Sequence, residues 1–208
     1  MSPPVVHVVD DDDLARKGTA RLLGVAGFAV RTYASAQDFL STVEPDAPGC
    51  IVLDLRLPDA SGLDIQAALI DRAVALPIIF MTGHGQIPDT VRAMQRGAVD
   101  FLIKPVDADV LLAAIARALD QDAASRAARA RQNDLRSRYE RLTAREREVF
   151  VHLISGQLNK QVASDLQITE RTIKLHRASI FEKLEVSSMA EMARLAVELG
   201  IDPAKLTP

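Results

Sequence analysis

Tryptophan is absent from the 208 residues, cysteine occurs once (Cys50), and aromatic residues make up only 4%. A single thiol excludes an internal disulfide, and with no histidine cluster nearby it suggests no zinc site. The expected setting is therefore a reducing cytosol. No apolar run approaches the ~18 residues of a membrane-spanning helix; the longest are Leu76–Met81 and Val110–Ala116. The opening MSPPVVHVVDDDD has neither a basic flank nor a long apolar core and does not read as a signal peptide. Positive charge is not in excess either. The chain carries 25 Lys and Arg against 28 Asp and Glu, a net charge of -3, so it is no generic polycation.

What is present suits an ordinary folded protein. Hydrophobic residues are 48% and charged residues 25%, which excludes wholesale disorder, and the length fits one large domain or two small ones. The charge is uneven: residues 1–119 hold 15 acids and 10 bases, 120–141 hold 4 and 6, and 142–208 hold 9 of each. Charge totals alone do not establish nucleic-acid binding; the placement of the bases has to do so.

Up to about Ala118, short β-rich runs (Val5–Val9, Phe28–Tyr33, Cys50–Leu53, Pro77–Met81, Val99–Ile103) alternate with amphipathic helical stretches (Leu14–Ala26, Ala36–Val43, Leu63–Ala73, Pro88–Arg96, Asp107–Leu119). Nearly continuous apolar strands alternating with helices predict a doubly wound α/β domain, a five-stranded parallel sheet covered on both faces, over 1–120. Residues 121–141 read as a helical linker free of proline and glycine. Ala128, Leu135 and Leu142 fall at heptad spacing there, which suits either a dimer seam or a solvated helix with a few apolar residues. Residues 142–208 predict an all-α domain of four helices. Thr143 with Glu146 forms a capping-box start and the helix stops at Gly156; Asn159–Leu166 follows; a third helix opens at Thr169 or Glu170; a fourth is capped by Ser187 or Ser188 and ends at Gly200. A short helix, a turn at Gln167–Thr169 and a longer basic helix make a helix-turn-helix.

The chemistry-bearing residues follow strands. Asp10, Asp11, Asp12 and Asp13 follow the first, Asp54 the third, Thr82 the fourth, and Lys104-Pro105 the fifth. In a parallel sheet these ends converge on one edge. Carboxylates gathered there repel one another, and a hard divalent cation such as Mg²⁺ relieves the repulsion. Three carboxylates, a hydroxyl and a lysine make a phosphoryl-handling site. Asp12 or Asp13 also suits the cap of the helix starting near Leu14.

With IVLDLRLPDASGLD, MTGHGQIPDTVRAMQRGAVDFLIKP and NKQVASDLQITERTIKLHRASIFEKL in view, the first 120 residues resemble a response-regulator receiver domain. Residues 142–200 resemble a LuxR-type helix-turn-helix, and the pair resembles the FixJ branch of the FixJ/NarL regulators. The resemblance implies a flavodoxin-like strand order 2-1-3-4-5. It implies that Asp54 accepts a phosphoryl group from a sensor histidine kinase, and that Mg²⁺ is held by Asp10, Asp11, Asp54 and the backbone carbonyl of Arg56. Thr82 and Lys104 would meet the phosphoryl oxygens, and Lys104-Pro105 would be cis. Phe101 would be the aromatic partner of Thr82 in switching. Arg56 and His84 would tune loss of the phosphoryl group. A patch of Val91, Met94 and Ala98 would form a homodimer. Promoter DNA would be read by Thr172, Lys174, Leu175 and Ala178, with phosphates met by Lys160, Arg171, Arg177 and Lys183 and the turn held by Asn159. Relatives often carry a basic residue where Ala178 stands, so base contacts would be fewer or shifted to Arg177. RNA polymerase is a further partner to expect.

Two other functions are weighed. An aspartyl-phosphate enzyme of the haloacid dehalogenase type needs a second Asp two residues after the nucleophile, where this chain has Arg56. A pseudo-receiver would bind DNA constitutively or under control of a partner protein; the intact Asp11, Asp54, Thr82 and Lys104 set argues against it.

Overall fold

A computed structural model describes residues 3–83 and 87–201. The chain divides into two compact units, 1–126 and 127–208.

The first unit is built on five parallel strands, β1 (Val5–Val9), β2 (Ala29–Tyr33), β3 (Gly49–Leu53), β4 (Ile78–Thr82) and β5 (Asp100–Ile103), in the order β2-β1-β3-β4-β5. Of the three inner strands β1, β3 and β4, the last two are buried at every residue, as the largely apolar runs GCIVL and IIFMT require. Edge strand β2 leaves Ala29, Arg31 and Thr32 exposed, with Val30 and Tyr33 half-buried.

Side chains alternate across the sheet and so supply two cores. Val9, Ile51, Leu53 and Phe80 pack under α2 (Ala36–Thr42), α3 (Gly62–Asp71) and α4 (Ile87–Gln95). Val6, Val8, Cys50, Val52, Ile79 and Met81 pack against α1 (Asp13–Val25) and α5 (Ala108–Glu140) through Leu23, Leu111, Ala114, Ile115 and Ala118. Each fully buried Val, Leu, Ile, Phe or Met among them contributes about 1.5–3 kcal/mol, so this sandwich sets where the strand ends lie. Cys50 is a buried member of it, its thiol pushed up to about 12 by burial and by nearby Asp122.

His7 is 4% exposed between Tyr33 and Phe39, with Nδ1 3.0 Å from the Tyr33 hydroxyl; burial, then Arg31, pulls its pKa down to about 4.

The stretch 121–141 is divided between the two units. Asp122, 3% exposed, accepts a hydrogen bond from the Gly49 amide at the start of β3, and Arg126 donates to the Asp46 carbonyl. From Ala127 onward α5 belongs to the second unit with α6 (Ala144–Ile154), α7 (Asn159–Asp165), α8 (Glu170–Leu184) and α9 (Met189–Glu198). Leu135 and Leu142 are buried in that unit's own core beside Val149, Phe150, Ile173, Ile180 and Met192, while Ala128 is exposed. The heptad spacing therefore reflects packing within the unit, and a seam of Leu135 and Leu142 is not available to a second chain.

Helix starts follow the sequence signals: Thr143, Thr169 and Ser188 each accept a backbone N–H as N-caps. At the far end of α8 stands Glu185, with φ 55° and ψ 44°, a left-handed conformation that costs a residue with a Cβ about 1 kcal/mol. Glu146 is 5% exposed yet well partnered. It accepts hydrogen bonds from the Thr143 amide (2.8 Å), the Ser179 hydroxyl (2.6 Å) and the Lys183 ammonium (2.6 and 2.9 Å), tying α6 to α8. Burial pushes its pKa up, but those partners outweigh it and hold it at about 2.

Candidate functional site

The β-strands of the first unit deliver Asp10, Asp54 and Lys104 to one edge. Asp10 directly follows β1, and its amide bonds to the Tyr33 carbonyl at the end of β2. Asp54 directly follows β3, its amide bonded to the Val9 carbonyl. Lys104 follows β5, its amide bonded to the Thr82 carbonyl, and the Lys104-Pro105 bond is cis. The Lys104 ammonium lies 2.6 Å from Asp10 Oδ2 and 2.6 Å from Asp54 Oδ2. Both carboxylates use their second oxygen on a backbone amide: Asp10 Oδ1 accepts from Asp12 and Asp54 Oδ1 from Arg56, each at 3.0 Å.

Electrostatics sharpen this notch. Asp10 is 1% exposed, and its pKa is raised because burial and the like charge of Asp54 outweigh Lys104 and the Asp12 amide. Burial alone would lower Lys104, but its bonds to the two carboxylates reverse the sign and raise it. Carboxylate oxygens of Asp10, Asp11 and Asp54 lie within 4.8 Å of one another. Hard oxygen donors this close, two of them largely buried and Asp11 facing solvent, fit a small divalent cation such as Mg²⁺ that keeps part of its water shell.

Two neighbours were not foreseen from sequence. Arg16, one turn into α1, donates to the Asp10 carbonyl at 2.7 Å and the Asp11 carbonyl at 3.3 Å, and pairs with Asp13 at 2.8 Å. A base three residues after an acid run was the available signal. Gly62 opens α3 against the site: a Cβ there would lie 2.6 Å from the Asp54 carbonyl oxygen and 3.0 Å from the Phe80 ring. Asp12 caps α1 through the amides of Leu14 and Ala15.

Thr82 is 1% exposed at the end of β4. Phe101 is half-buried, its ring 5.9 Å from that of Phe80 on the adjacent strand. Arg56 is exposed beside Asp54. His84 lies outside the described residues. Of the expected patch, Val91 (47%) and Met94 (44%) are exposed, whereas Ala98 (7%) belongs to the core that closes the end of α4. Ile87 and Ile103 stand exposed on the same two elements, α4 and β5.

In the second unit α7, a turn with Gln167 in the left-handed region, and α8 form the helix-turn-helix. Buried Ile173, Ile180 and Leu184 anchor one face of α8. Arg171, Lys174, Leu175 and Ala178 are exposed at i, i+3, i+4 and i+7, a single solvent-facing stripe. Thr172 shares a hydroxyl–hydroxyl bond of 2.9 Å with Thr169, and Arg177 lies over the Phe181 ring. Lys160 is exposed, and Asn159 is half-buried at the start of α7. The turn before α7 is held by Gln161, which accepts from the Leu158 amide, and by Gln157 between His152 and Asp165. Lys183 differs from the other bases because its ammonium is engaged by buried Glu146.

Comparison with known proteins agrees with both halves. Residues 6–116 match the family "Response regulator receiver domain", and residues 140–196 match "Bacterial regulatory proteins, luxR family". Across 98% of this chain and all of its own length, the transcriptional regulatory protein FixJ of Rhizobium meliloti (strain 1021) is 39% identical. The chain belongs to the FixJ branch of the two-component response regulators.

The response regulator protein TodT of Pseudomonas putida (strain F1) is 40% identical over 94% of this regulator and 86% of its own length. Among solved structures, the response regulator StyR superposes with a TM-score of 0.89 at 44% identity, covering 95% of this chain and all of that one. Full-length FixJ from B. japonicum gives 0.59 at 37% identity, covering 97% and 100%. The regulator thus has a receiver domain and a LuxR-type DNA-binding domain and acts in transcription. No described helix is long and apolar enough to cross a membrane.

Proposed function

We propose that Asp54 is the phosphoacceptor of this regulator. A carboxylate oxygen of Asp54 attacks the phosphorus of a phosphohistidine on the partner kinase. The P–N bond breaks, the P–O bond of an acyl phosphate forms, and the kinase imidazole recovers a proton from solvent. The observation carrying this reading is the Lys104 ammonium, 2.6 Å from both Asp10 and Asp54 in a notch of three acids. Asp10, Asp11, Asp54 and the Arg56 carbonyl would hold Mg²⁺, which when bound supplies positive charge to the phosphoryl oxygens and a template for in-line transfer.

The phosphoryl group adds nearly two negative charges and three acceptor oxygens. Lys104 then exchanges a carboxylate partner for a phosphoryl oxygen, and the Thr82 hydroxyl donates to another. Phe101 follows Thr82, and the surface of α4 and β5 changes around Ile87, Val91, Met94 and Ile103. A swing from mostly inactive to mostly active takes ~5 kcal/mol of differential interaction, more than two new contacts provide, so a homodimer on that surface completes it. The dimer places two α8 helices in successive major grooves of promoter DNA, with half-sites about one helical turn apart. Lys174 and Arg171 meet phosphate or base edges, Leu175 meets a thymine methyl, and Lys160 and Arg177 add phosphate contacts.

Beryllofluoride with Mg²⁺ is expected to dimerise the full chain and tighten its binding to a promoter duplex, with steep salt dependence. Asp54→Asn should abolish both responses while leaving the fold intact. Dimerisation by beryllofluoride that persists in Asp54→Asn would overturn the assignment.

A further inference from the structure

The end of α8 is an unusual place for a glutamate. Glu185 occupies a left-handed conformation in which glycine is unstrained and every other residue carries a Cβ penalty. Its carboxylate is shared between Arg138, in the last turn of α5, and Arg141, which directly follows that helix: Oε2 lies 3.2 Å from Arg138 Nη2 and Oε1 3.0 Å from Arg141 Nη2. Arg138 also pairs with Asp134 at 2.7 Å, and its Nη1 approaches the carbonyl of Leu184, the last residue of α8, at 3.5 Å. Leu135 and Tyr139, on the same turns of α5, pack in the core of this unit. Core packing therefore holds those turns independently of the charges.

Half-exposed ion pairs add little to stability, and the backbone at Glu185 opposes them. Stability alone would favour glycine, so the advantage of a carboxylate lies elsewhere. Ala73 and Gln167 share the left-handed conformation, and what sets Glu185 apart is a charged side chain paired with two arginines from another segment. The exposed stripe of α8 is aimed by what holds the helix: Thr169 caps its start, Glu146 grips Ser179 and Lys183 along its length, and Glu185 fastens its end. A small tilt of a 15-residue helix moves Lys174 and Leu175 relative to a groove.

We propose that Glu185 is a positioning residue for DNA reading, coupling the end of α8 to Arg138 at the end of α5 and Arg141 just beyond it; this rests on the reading that α8 enters the groove. The test uses the full chain and a promoter duplex, with Kd measured across salt concentration beside Tm for wild type, E185G, E185D, R138M/R141M and the triple variant. E185G is expected to keep or raise Tm yet weaken Kd about fivefold with the salt slope unchanged, because Glu185 touches no phosphate. E185D is expected to recover part of the loss. Adding E185G to R138M/R141M should weaken binding no further, since the partners are already gone. Wild-type Kd in E185G, a parallel fall of Tm and affinity, or independent losses in the triple variant would each overturn the coupling while leaving the DNA reading standing. Failure of the wild-type chain to bind any duplex would overturn both.

Discussion

The two units treat a buried acid in opposite ways. In the helical unit Glu146 is fully answered: an amide, a hydroxyl and an ammonium surround it and its pKa falls to about 2. In the receiver one ammonium is divided between Asp10 and Asp54, a third acid stands close, and Asp10 is held above its ordinary value. The first arrangement is a fastener. The second leaves negative charge incompletely neutralised, which is where, on the proposed function, a cation and a phosphoryl group would lower the energy. A protein that must stay folded while one site changes charge benefits from keeping these two kinds of acid in separate cores.

The largest contrast should come from removing one acid from each unit. Glu146→Ala is expected to destabilise the second unit by about 3 kcal/mol, because it strands Lys183 and Ser179 and loses a strongly favoured carboxylate. Asp54→Ala should change the stability of the first unit by less than about 1 kcal/mol, since Lys104 keeps Asp10 and a like charge disappears. Amide hydrogen exchange resolves the two units separately, and equal losses in both would remove the distinction.

Acid should dismantle the units in sequence. His7 has a folded pKa of about 4 against about 6.5 unfolded, so the unfolded chain binds the extra proton first. The stability it supports is complete above pH 6.5 and falls by up to about 3 kcal/mol as pH drops toward 4. Glu146, at about 2 against an ordinary 4.5, supports stability present above 4.5 and lost as pH falls toward 2. A pH titration should show receiver amides exchanging before those of α6 and α8, and His7→Gln should flatten the first phase.

Gly62→Ala is expected to cost the receiver about 1–3 kcal/mol, because the new Cβ meets the Asp54 carbonyl and the Phe80 ring, and to slow phosphorylation measurably. At the small end, Arg131→Ala removes a solvent-exposed pair with Glu198 and should leave Tm unchanged. A resolvable drop would mean that surface pairs of the second unit act as a network.

The sequence carried the architecture clearly because buried parallel strands are largely apolar runs, with the acids and lysine just after them and Thr82 as the last residue of its own strand. Helix starts were legible for the same local reason, since Thr143, Thr169 and Ser188 each act on the amide three residues away. What escaped depends on contacts between distant segments. Nothing near Ala98 says that it closes a core, nothing near Lys183 says that Glu146 holds it, and the heptad of Leu135 and Leu142 looks alike whether it meets another chain or its own. Arg16 lay within reach of pattern reading, yet its grip on two backbone carbonyls belongs to the turn rather than to the spacing.

The lone thiol has a practical consequence. Cys50 sits under the sheet with its ionisation pushed up to about 12, so alkylating reagents at neutral pH should pass it by. A cysteine introduced on the stripe of α8 or beside Met94 would then accept a fluorophore or spin label alone, and the otherwise native chain could report its own rearrangement.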